Sequence, residues 1–286
     1  MLNLGSTTLP LAGWVADPRH PSESCARRLA AIRQLVLTFG LSHVELTADL
    51  AIIFPQVFDR PFYALVADLQ QDLGFGCSIH LPFLWIDPCS LNEPLRQTSV
   101  STLRQILDAV GPVEVSTFVL HLWGFTATRI AVAIDEPSQP LEVIVDALLQ
   151  QGRRSLEQLF EALEPDRVCV ENLEDALFDR AMPLLSDMGA RICFDVGHLA
   201  CQGDDVLGFL AEHGDRIGEV HLHDALMEPA PGSSLGRDHL ALGQGDVDYG
   251  SLLRSLQERG FDGPVVLEVN HRAALEQSVA ALRHWR

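Results

Sequence analysis

The chain has 286 residues, a hydrophobic fraction of 47% and a mean hydropathy of +0.14, which is enough apolar material for one large core. Its formal net charge of −19 argues against a nucleic-acid partner, because affinity for nucleic acid comes mainly from neutralised phosphates. No apolar run approaches the roughly 20 residues of a membrane span, so no membrane partner is expected. All 20 basic residues are arginine, which excludes chemistry that needs a lysine amine, such as Schiff-base formation.

The first residues and the cysteines indicate a cytoplasmic protein. The opening sequence MLNLGSTTLP lacks the basic segment of a signal peptide, and we interpret it as the start of the first strand. The six cysteines contain no C-x-x-C pair, and Cys77, Cys169 and Cys193 lie inside apolar runs. We therefore expect reduced, mostly structural thiols and a cytoplasmic enzyme. The sequence leaves the oligomeric state open, a homo-oligomer included.

Short runs typical of β-strands alternate with helical stretches along the whole chain. Eight strands, each followed by a segment able to form a helix, are the count of a closed (β/α)8 barrel. We therefore predict an α/β fold with a single TIM-barrel domain over residues 1–286. The predicted strands are LNLGST (2–7), HVELT (43–47), CSIHL (77–81), TFVLHL (117–122), RVCVENL (167–173), RICFDV (191–196), GEVHLHD (218–224) and PVVLEV (264–269).

Helix ends and one long loop complete this prediction. The segment PSESCARRLAAIRQLVLTFG (21–40) begins with Pro and Ser and ends with Gly, and DYGSLLRSLQERG (248–260) begins with Asp and ends with Gly. A doubly wound sheet is the rival fold, but no G-x-G-x-x-G follows an early strand. Residues 225–242 show no clear periodicity, and we expect them to form the loop after the seventh strand, on the active-site side.

Six residues of metal-ligand type lie at or near the ends of successive predicted strands. Each belongs to a hydrophobic run, where an unpaired polar group is costly, and a barrel collects the carboxyl ends of its strands at one mouth. One such residue alone is more often a hydrogen-bonded structural group, but six at equivalent positions favour a divalent-metal site. They are His80, His121, Glu171, Asp195, His221 and Glu268.

Several nearby residues have both a functional and a structural interpretation. His223 shares a strand face with His221 and could support a ligand, contact substrate or simply form a hydrogen bond. Trp85 and Trp123 follow the histidines of strands 3 and 4 and could wall the pocket or pack in the core. Arg237 could pair with a substrate phosphate or carboxylate, or lie exposed. The weaker candidates are Glu45, Asp224 and Asp246.

A series of short motifs resembles one superfamily. This superfamily is the xylose-isomerase-like TIM barrels (AP endonuclease family 2), which include sugar-phosphate isomerases and epimerases and endonuclease IV. The motifs occur in the expected order and are IHLP (79–82), VLHL (119–122), VENL (170–173), FDVGH (194–198), VHLHD (220–224), DHLALGQGDVDY (238–249) and LEV (267–269).

The resemblance implies a metal centre of four ligands, which are Glu171, Asp195, His221 and Glu268. In the family's epimerases the two glutamates also act as acid and base, so Glu171 and Glu268 would be the catalytic residues. A divalent ion (Zn, Mn, Mg or Co) would hold a hydroxyl–carbonyl pair of the sugar and acidify its C–H, while one carboxylate removes the proton and the other returns it.

Endonuclease IV binds three zinc ions with a larger ligand set, and the resemblance extends to part of it. The family's D-x-H pattern departs at Arg237, and Asp238 is displaced by one residue, so we expect its side chain to point elsewhere unless the loop shifts. A complete third site is therefore not expected, and one or two ions are. The added positions, as ligands of a second ion or as substrate contacts, are His80, His121, His198 and His239.

These observations lead to three functional hypotheses. The first is an isomerase or epimerase of a small sugar or sugar phosphate, which needs only the four-ligand centre and its two glutamates. The second is a metal-dependent hydrolase of a phosphoester or ribosyl-phosphate bond, similar to the enzymes that remodel cobamides and less similar to endonuclease IV; the additional histidines favour it. The third is a non-catalytic metal- or ligand-binding barrel. The expected partner is a sugar, a sugar phosphate or a nucleotide-like ligand.

Overall fold

The structure is a computed structural model that describes residues 1–124, 139–173, 178–228 and 237–285. Eight parallel strands in the order β1-β10-β7-β6-β5-β4-β3-β2 close a barrel, which confirms the predicted TIM-barrel fold. These strands are β1 (Asn3–Thr7), β2 (His43–Thr47), β3 (Gly76–His80), β4 (Phe118–Leu120), β5 (Val168–Glu171), β6 (Arg191–Asp195), β7 (Ile217–Leu222) and β10 (Pro264–Leu267).

Helices surround the barrel and connect its strands. The predicted boundaries hold closely for the two helices with clear end signals, and Asp248 caps one of them by accepting the backbone N–H of Ser251. The helices are α1 (Leu9–Ala12), α2 (Pro21–Leu37), α3 (Asp49–Ile53), α4 (Arg60–Leu73), α5 (Glu93–Val110), α6 (Gln139–Leu159), α7 (Phe178–Met188), α8 (Val196–Cys201), α9 (Val206–His213), α10 (Tyr249–Glu258) and α11 (Arg272–Ala281).

Some predicted strands extend further than the observed ones. The run TFVLHL was predicted over 117–122 but forms only Phe118–Leu120, and RVCVENL was predicted to residue 173 but ends at Glu171. The apolar pattern continues because the residues beyond these ends stay buried after they leave the sheet. Leu122 is 0% exposed and Asn172 1% exposed.

The loop after β7 contains a hairpin that the sequence did not indicate. Strand β8 (Asp224–Leu226) pairs antiparallel with β9 (Arg237–Leu240), and residues 229–236 between them lie outside the described part of the chain. The segment 225–242 follows β7 and reaches the cleft, as expected, and its two ends form the hairpin. The strands are short and lack alternation of apolar and polar residues, so a period of two is not visible in the sequence.

The alternation of side chains along the strands carries the polar residues to the mouth. Val168 and Val170 on β5 pack in the core between barrel and helices, whereas Cys169 belongs to a small separate cluster with Val119 and Cys193. That cluster therefore lies inside the barrel. Two residues further along each strand, the same inward-facing row reaches His121, Glu171 and Asp195.

Two further expectations concern thiols and membranes. None of the six cysteines, all of which lie in the described residues, forms a disulfide, as predicted; five of them are buried, and Cys25 is partly exposed. Among the described helices, none combines the length and the apolar character that crossing a membrane requires.

Asp224, the first residue of β8, fastens the segment that follows the hairpin. Its side chain is fully buried and accepts four backbone N–H groups. The donors are Gly243 (2.8 Å), Gly245 (2.9 Å), Val247 (3.1 Å) and Ala225 (2.9 Å). This is a structural role, and it holds the base of the hairpin against the barrel mouth.

Replacing Asp224 with alanine should destabilise the protein. Several buried N–H donors would lose a charged acceptor, so we expect Asp224→Ala to lower the free energy of unfolding by about 3 kcal/mol. Urea denaturation followed by circular dichroism would measure this change. Asp262→Ala, at an exposed loop position, is the matched control, for which we expect about 0.5 kcal/mol or less. Equal destabilisation by both variants would contradict the role of Asp224.

Candidate active site

Six of the predicted residues meet at the carboxyl end of the barrel. The sheet register places Asp195 on β6 beside His221 on β7, and Glu171 beside Cys193. The side chains of Glu171, Asp195 and His221 are 0–1% exposed, whereas that of Glu268, just after β10, is 18% exposed and faces the cleft. Buried charges of this kind require partners, and the neighbouring residues supply them.

The first cluster contains the four ligands that the family resemblance implies. Ligand atoms of Glu171, Asp195, His221 and Glu268 all lie within 4.8 Å of one another. Nδ1 of His221 is 3.0 Å from Oε2 of Glu268, 3.3 Å from Oε1 of Glu171 and 3.8 Å from Oδ2 of Asp195.

This cluster fits a divalent cation. Although Nδ1 of His221 and Oε2 of Glu268 are buried and close together, neither has a hydrogen-bond partner among the described residues. Three carboxylates and one imidazole form the donor set that Zn²⁺, Mn²⁺ or Co²⁺ accepts, with Mg²⁺ less suited to the nitrogen. The two unpartnered atoms would be satisfied by such an ion.

Neighbouring groups orient two of these ligands. Asp195 caps α8 by accepting the backbone N–H of His198 at 2.7 Å, and its carboxylate accepts from Nε2 of His223 at 3.0 Å. Asn172 also holds the backbone of Asp195, since its side-chain amide makes two 2.8 Å hydrogen bonds to it. Nε2 of His221 lies 3.3 Å from Oε2 of the buried Glu45, which leaves Nδ1 for the ligand.

A second cluster joins two histidines to Glu171. Nε2 of His121 lies 2.9 Å from Oε2 of Glu171, and Nε2 of His80 lies 3.2 Å from the same oxygen. The other oxygen of Glu171 faces His221. One carboxylate therefore belongs to both clusters, and the second cluster could hold another ion.

His223 supports the site from beneath it. The ring is fully buried; Nε2 donates to Asp195, and Nδ1 accepts the backbone N–H of His239 at 2.9 Å. Both nitrogens are thus engaged, and His223 is not among the residues that line the cleft. Gly197 makes room for it, because a Cβ there would lie 1.9 Å from the ring.

Asp238 and His239 both line the cleft, which corrects the expectation that Asp238 points elsewhere. Oδ2 of Asp238 is 3.6 Å from Nε2 of His198, and Oδ1 is 3.1 Å from Nδ1 of His239. Successive residues of a strand normally face opposite sides. Here His239 has a left-handed backbone with φ of 52°, which breaks the alternation.

Contacts between buried carboxylates and histidines shift the pKa values of several site residues. Burial raises the pKa of the Glu171 carboxyl, but His121 and His221 outweigh it and hold this pKa well below its usual range. Burial lowers the pKa of His80, yet the hydrogen bond to Glu171 raises it to about 10. The pKa of His239 is likewise raised to about 10, against the effect of burial, by its bond to Asp238. The Glu171 carboxylate is therefore ionised at neutral pH.

The sequence did not single out Glu219, which lies inside the barrel below the ligands. It is fully buried and accepts hydrogen bonds from Ser78 and Thr117. Burial and the nearby Glu45 raise the pKa of Glu219 to about 8. Its position two residues before His221 was the available signal, because both belong to the inward-facing row of β7.

Glu171 and Glu268 line the floor of an open cleft of about 780 Å³, and the buried Asp195 and His221 are not among its lining residues. Both predicted tryptophans line it, whereas Arg237 is exposed and lies outside the lining. The polar lining residues are His80, Asp87, His121, Glu171, His198, Asp238, His239 and Glu268, and the apolar ones are Phe83, Leu84, Trp85, Ile86, Leu95, Trp123 and Leu173.

Two curated proteins share part of this sequence. An uncharacterized protein of Methanocaldococcus jannaschii is 25% identical over 199 residues, which are 66% of this chain and 63% of that protein. Inosose dehydratase of Lacticaseibacillus casei is 28% identical over 111 residues, which are 35% of this chain and 37% of that protein. The chain thus spans less than two thirds of the length of these relatives.

Solved structures share the fold at low sequence identity. A D-tagatose 3-epimerase-like protein has a TM-score of 0.74 at 16% identity, covering 99% of this chain and 97% of that one. The 3-keto-D-glucoside 4-epimerase of E. coli has a TM-score of 0.71 at 16% identity, covering 100% and 99%. An AP endonuclease of family 2 from Brucella melitensis has a TM-score of 0.65 at 15% identity, covering 100% and 98%.

These structural likenesses show the shared fold. The sequence adds the family, because the family model described as the xylose isomerase-like TIM barrel matches residues 33–286. The chain belongs to the xylose isomerase-like TIM barrel family.

Proposed function

We propose that the chain is a divalent-metal-dependent isomerase or epimerase of a small sugar or sugar phosphate. The observation that carries the proposal is the convergence of Glu171 and Glu268 on Nδ1 of His221, at 3.3 and 3.0 Å. The two glutamates lie on β5 and just after β10, strands separated by β6 and β7, and both line the cleft. Two carboxylates that reach one point from different strands suit removal and return of a proton.

The chain's own residues would perform the proton transfer. One glutamate takes the proton from the carbon next to the sugar carbonyl, and the electron pair moves toward the carbonyl oxygen. The other glutamate returns a proton, to the opposite face in an epimerase or to the neighbouring carbon in an isomerase. A bound divalent ion would supply Lewis acidity to the hydroxyl–carbonyl pair.

The proposal of a sugar substrate rests on the names of similar proteins. The names of similar proteins include sugar epimerases and inosose dehydratase, whose substrates are cyclic or open polyols that carry a carbonyl. Glu171 is unprotonated at neutral pH, as a proton acceptor must be, although His121 and His221 lower its pKa and so weaken it as a base. The polar floor of the cleft offers imidazoles and carboxylates for hydroxyl groups.

A second candidate function is a metal-dependent hydrolase of a phosphoester or ribosyl-phosphate bond. The second cluster favours it, because Nε2 of His80 and Nε2 of His121 both lie within 3.2 Å of Oε2 of Glu171. A carboxylate shared between two ligand clusters is the arrangement that two-ion hydrolases use to activate water. The number of bound ions separates the two functions.

Removing either glutamate's charge should abolish turnover. We expect Glu171→Gln and Glu268→Gln each to lower kcat by at least about 100-fold, because an amide cannot accept the proton. Measurement of kcat on the active substrate, with circular dichroism to verify folding, tests this. Glu258→Gln, at the exposed end of α10, is the matched control and should keep full activity. Substantial activity in both active-site variants would refute their assignment.

Metal content and solvent exchange should distinguish isomerase from hydrolase. For the isomerase we expect one ion per chain by elemental analysis, a content that His121→Gln does not change, and incorporation of solvent deuterium into a ketose. Suitable probes are D-tagatose and D-allulose in D₂O, followed by proton NMR.

The opposite outcome would favour the hydrolase. Two ions per chain, loss of one of them in His121→Gln, and cleavage of bis(4-nitrophenyl) phosphate without deuterium exchange would contradict the isomerase proposal. Removal of the ions with a chelator should abolish activity in either case, and Mn²⁺, Co²⁺ or Zn²⁺ should restore it.

A further inference from the structure

The cleft is larger than a single sugar requires. Its volume is about 780 Å³. A water molecule takes about 30 Å³ in the liquid, so a hexose, with about a dozen non-hydrogen atoms, would fill less than half of this space. The cleft instead falls within the range of sites for larger organic ligands.

The remaining space lies against one continuous apolar surface. It begins next to the second histidine cluster, where the ring of Phe83 stacks on that of His121 with centroids 4.7 Å apart. Five of its residues come from the segment that follows β3 and from the start of α5, and one follows β4. We call these residues the apolar wall; they are Phe83, Leu84, Trp85, Ile86, Leu95 and Trp123.

The fold holds the apolar wall in place. The buried Asp49 accepts the backbone N–H groups of Phe83 at 3.1 Å and Leu84 at 2.8 Å. Trp14 packs edge-on against Phe83, with ring centroids 6.5 Å apart. The segment is therefore fixed by a charged acceptor and by aromatic contacts, and the wall is a shaped surface.

Trp85 combines an unfavourable backbone conformation with an exposed side chain. Its backbone has φ of 61°, in the left-handed region that a bulky residue rarely adopts, and its indole is 74% exposed. Packing against the described residues does not account for an indole in this state, because most of its surface is exposed. A ligand that covers it would recover the apolar burial.

Trp123 adds to the same surface from just after the end of β4. It is only 3% exposed, so it contributes apolar lining and packs mostly within the protein.

From these observations we infer that the site takes a sugar joined to a flat aromatic group. The sugar lies at the carboxylate–imidazole floor, and the aromatic group lies against the apolar wall. Phe83, Leu84 and Ile86 offer the hydroxyls of a second sugar no side-chain hydrogen bond, which favours the aromatic group, although Asp87 of the same segment also lines the cleft. The inference rests on the proposed function only in placing a sugar at the floor.

Paired glycosides test the inference by binding, without turnover. Phenyl and methyl β-D-glucosides, ribosides and galactosides would be titrated into the metal-loaded protein by calorimetry, with cellobiose as the disaccharide. We expect at least one phenyl glycoside to bind about tenfold tighter than the methyl glycoside of the same sugar and tighter than cellobiose. If no phenyl glycoside shows this preference, or cellobiose binds tightest, the inference is wrong.

Variants of Trp85 locate the preference. Trp85→Ala should remove the phenyl preference, and Trp85→Phe should retain most of it, because a smaller ring still stacks. Leu37→Ala, at an exposed position in α2, is the control and should bind as the unchanged protein does. A phenyl preference that survives Trp85→Ala places the aromatic group elsewhere and overturns the inference.

The two proposals fail separately. A phenyl preference without any deuterium exchange into sugars would contradict the proposed isomerase and leave the aromatic subsite standing. Deuterium exchange that depends on Glu171 and Glu268, without a phenyl preference, would do the reverse.

Discussion

The candidate site depends on one buried carboxylate. Glu171 directs one oxygen to His80 and His121 and the other to His221, while its side chain is only 1% exposed. A charge so far from solvent is tolerated because histidines surround it on both sides. The same contacts fix where these histidines lie, so the two clusters are parts of a single network. A change at Glu171 therefore alters both.

Buried residues beneath the ligands hold this network in place. Most TIM barrels fill their interior with apolar layers, but the inward-facing row of β7 here is Glu219 and His221, and His223 continues it just after the strand. Glu45 engages the far nitrogen of His221, and His223 engages Asp195. His221 and Asp195 are thus each oriented by a buried partner that does not line the cleft. Polar side chains therefore replace apolar packing in this layer of the barrel, and their hydrogen bonds fix the orientation of the ligand side chains.

The sequence predicts the barrel and the ligand positions better than it predicts their surroundings. Alternating strands and helices determine the barrel, and a period of two places Glu171 and Asp195 at its mouth. The orientation of Asp238 could not be predicted, because it depends on a left-handed backbone at His239 that a non-glycine residue rarely adopts. Support of a ligand was one of the roles that the sequence left open for His223. The sequence could not select this role, because it depends on a backbone N–H of the hairpin that donates to Nδ1.

The occupancy of the two clusters decides what Glu171 can do chemically. Oε2 of Glu171 is engaged by Nε2 of His80 at 3.2 Å and of His121 at 2.9 Å, so it could exchange a proton with a substrate only if one of these contacts opened. If His80 and His121 instead held a second ion together with Glu171, that ion would supply the Lewis acidity that activates an attacking water. The state of these two histidines would thus separate the proposed isomerase chemistry from the hydrolase chemistry.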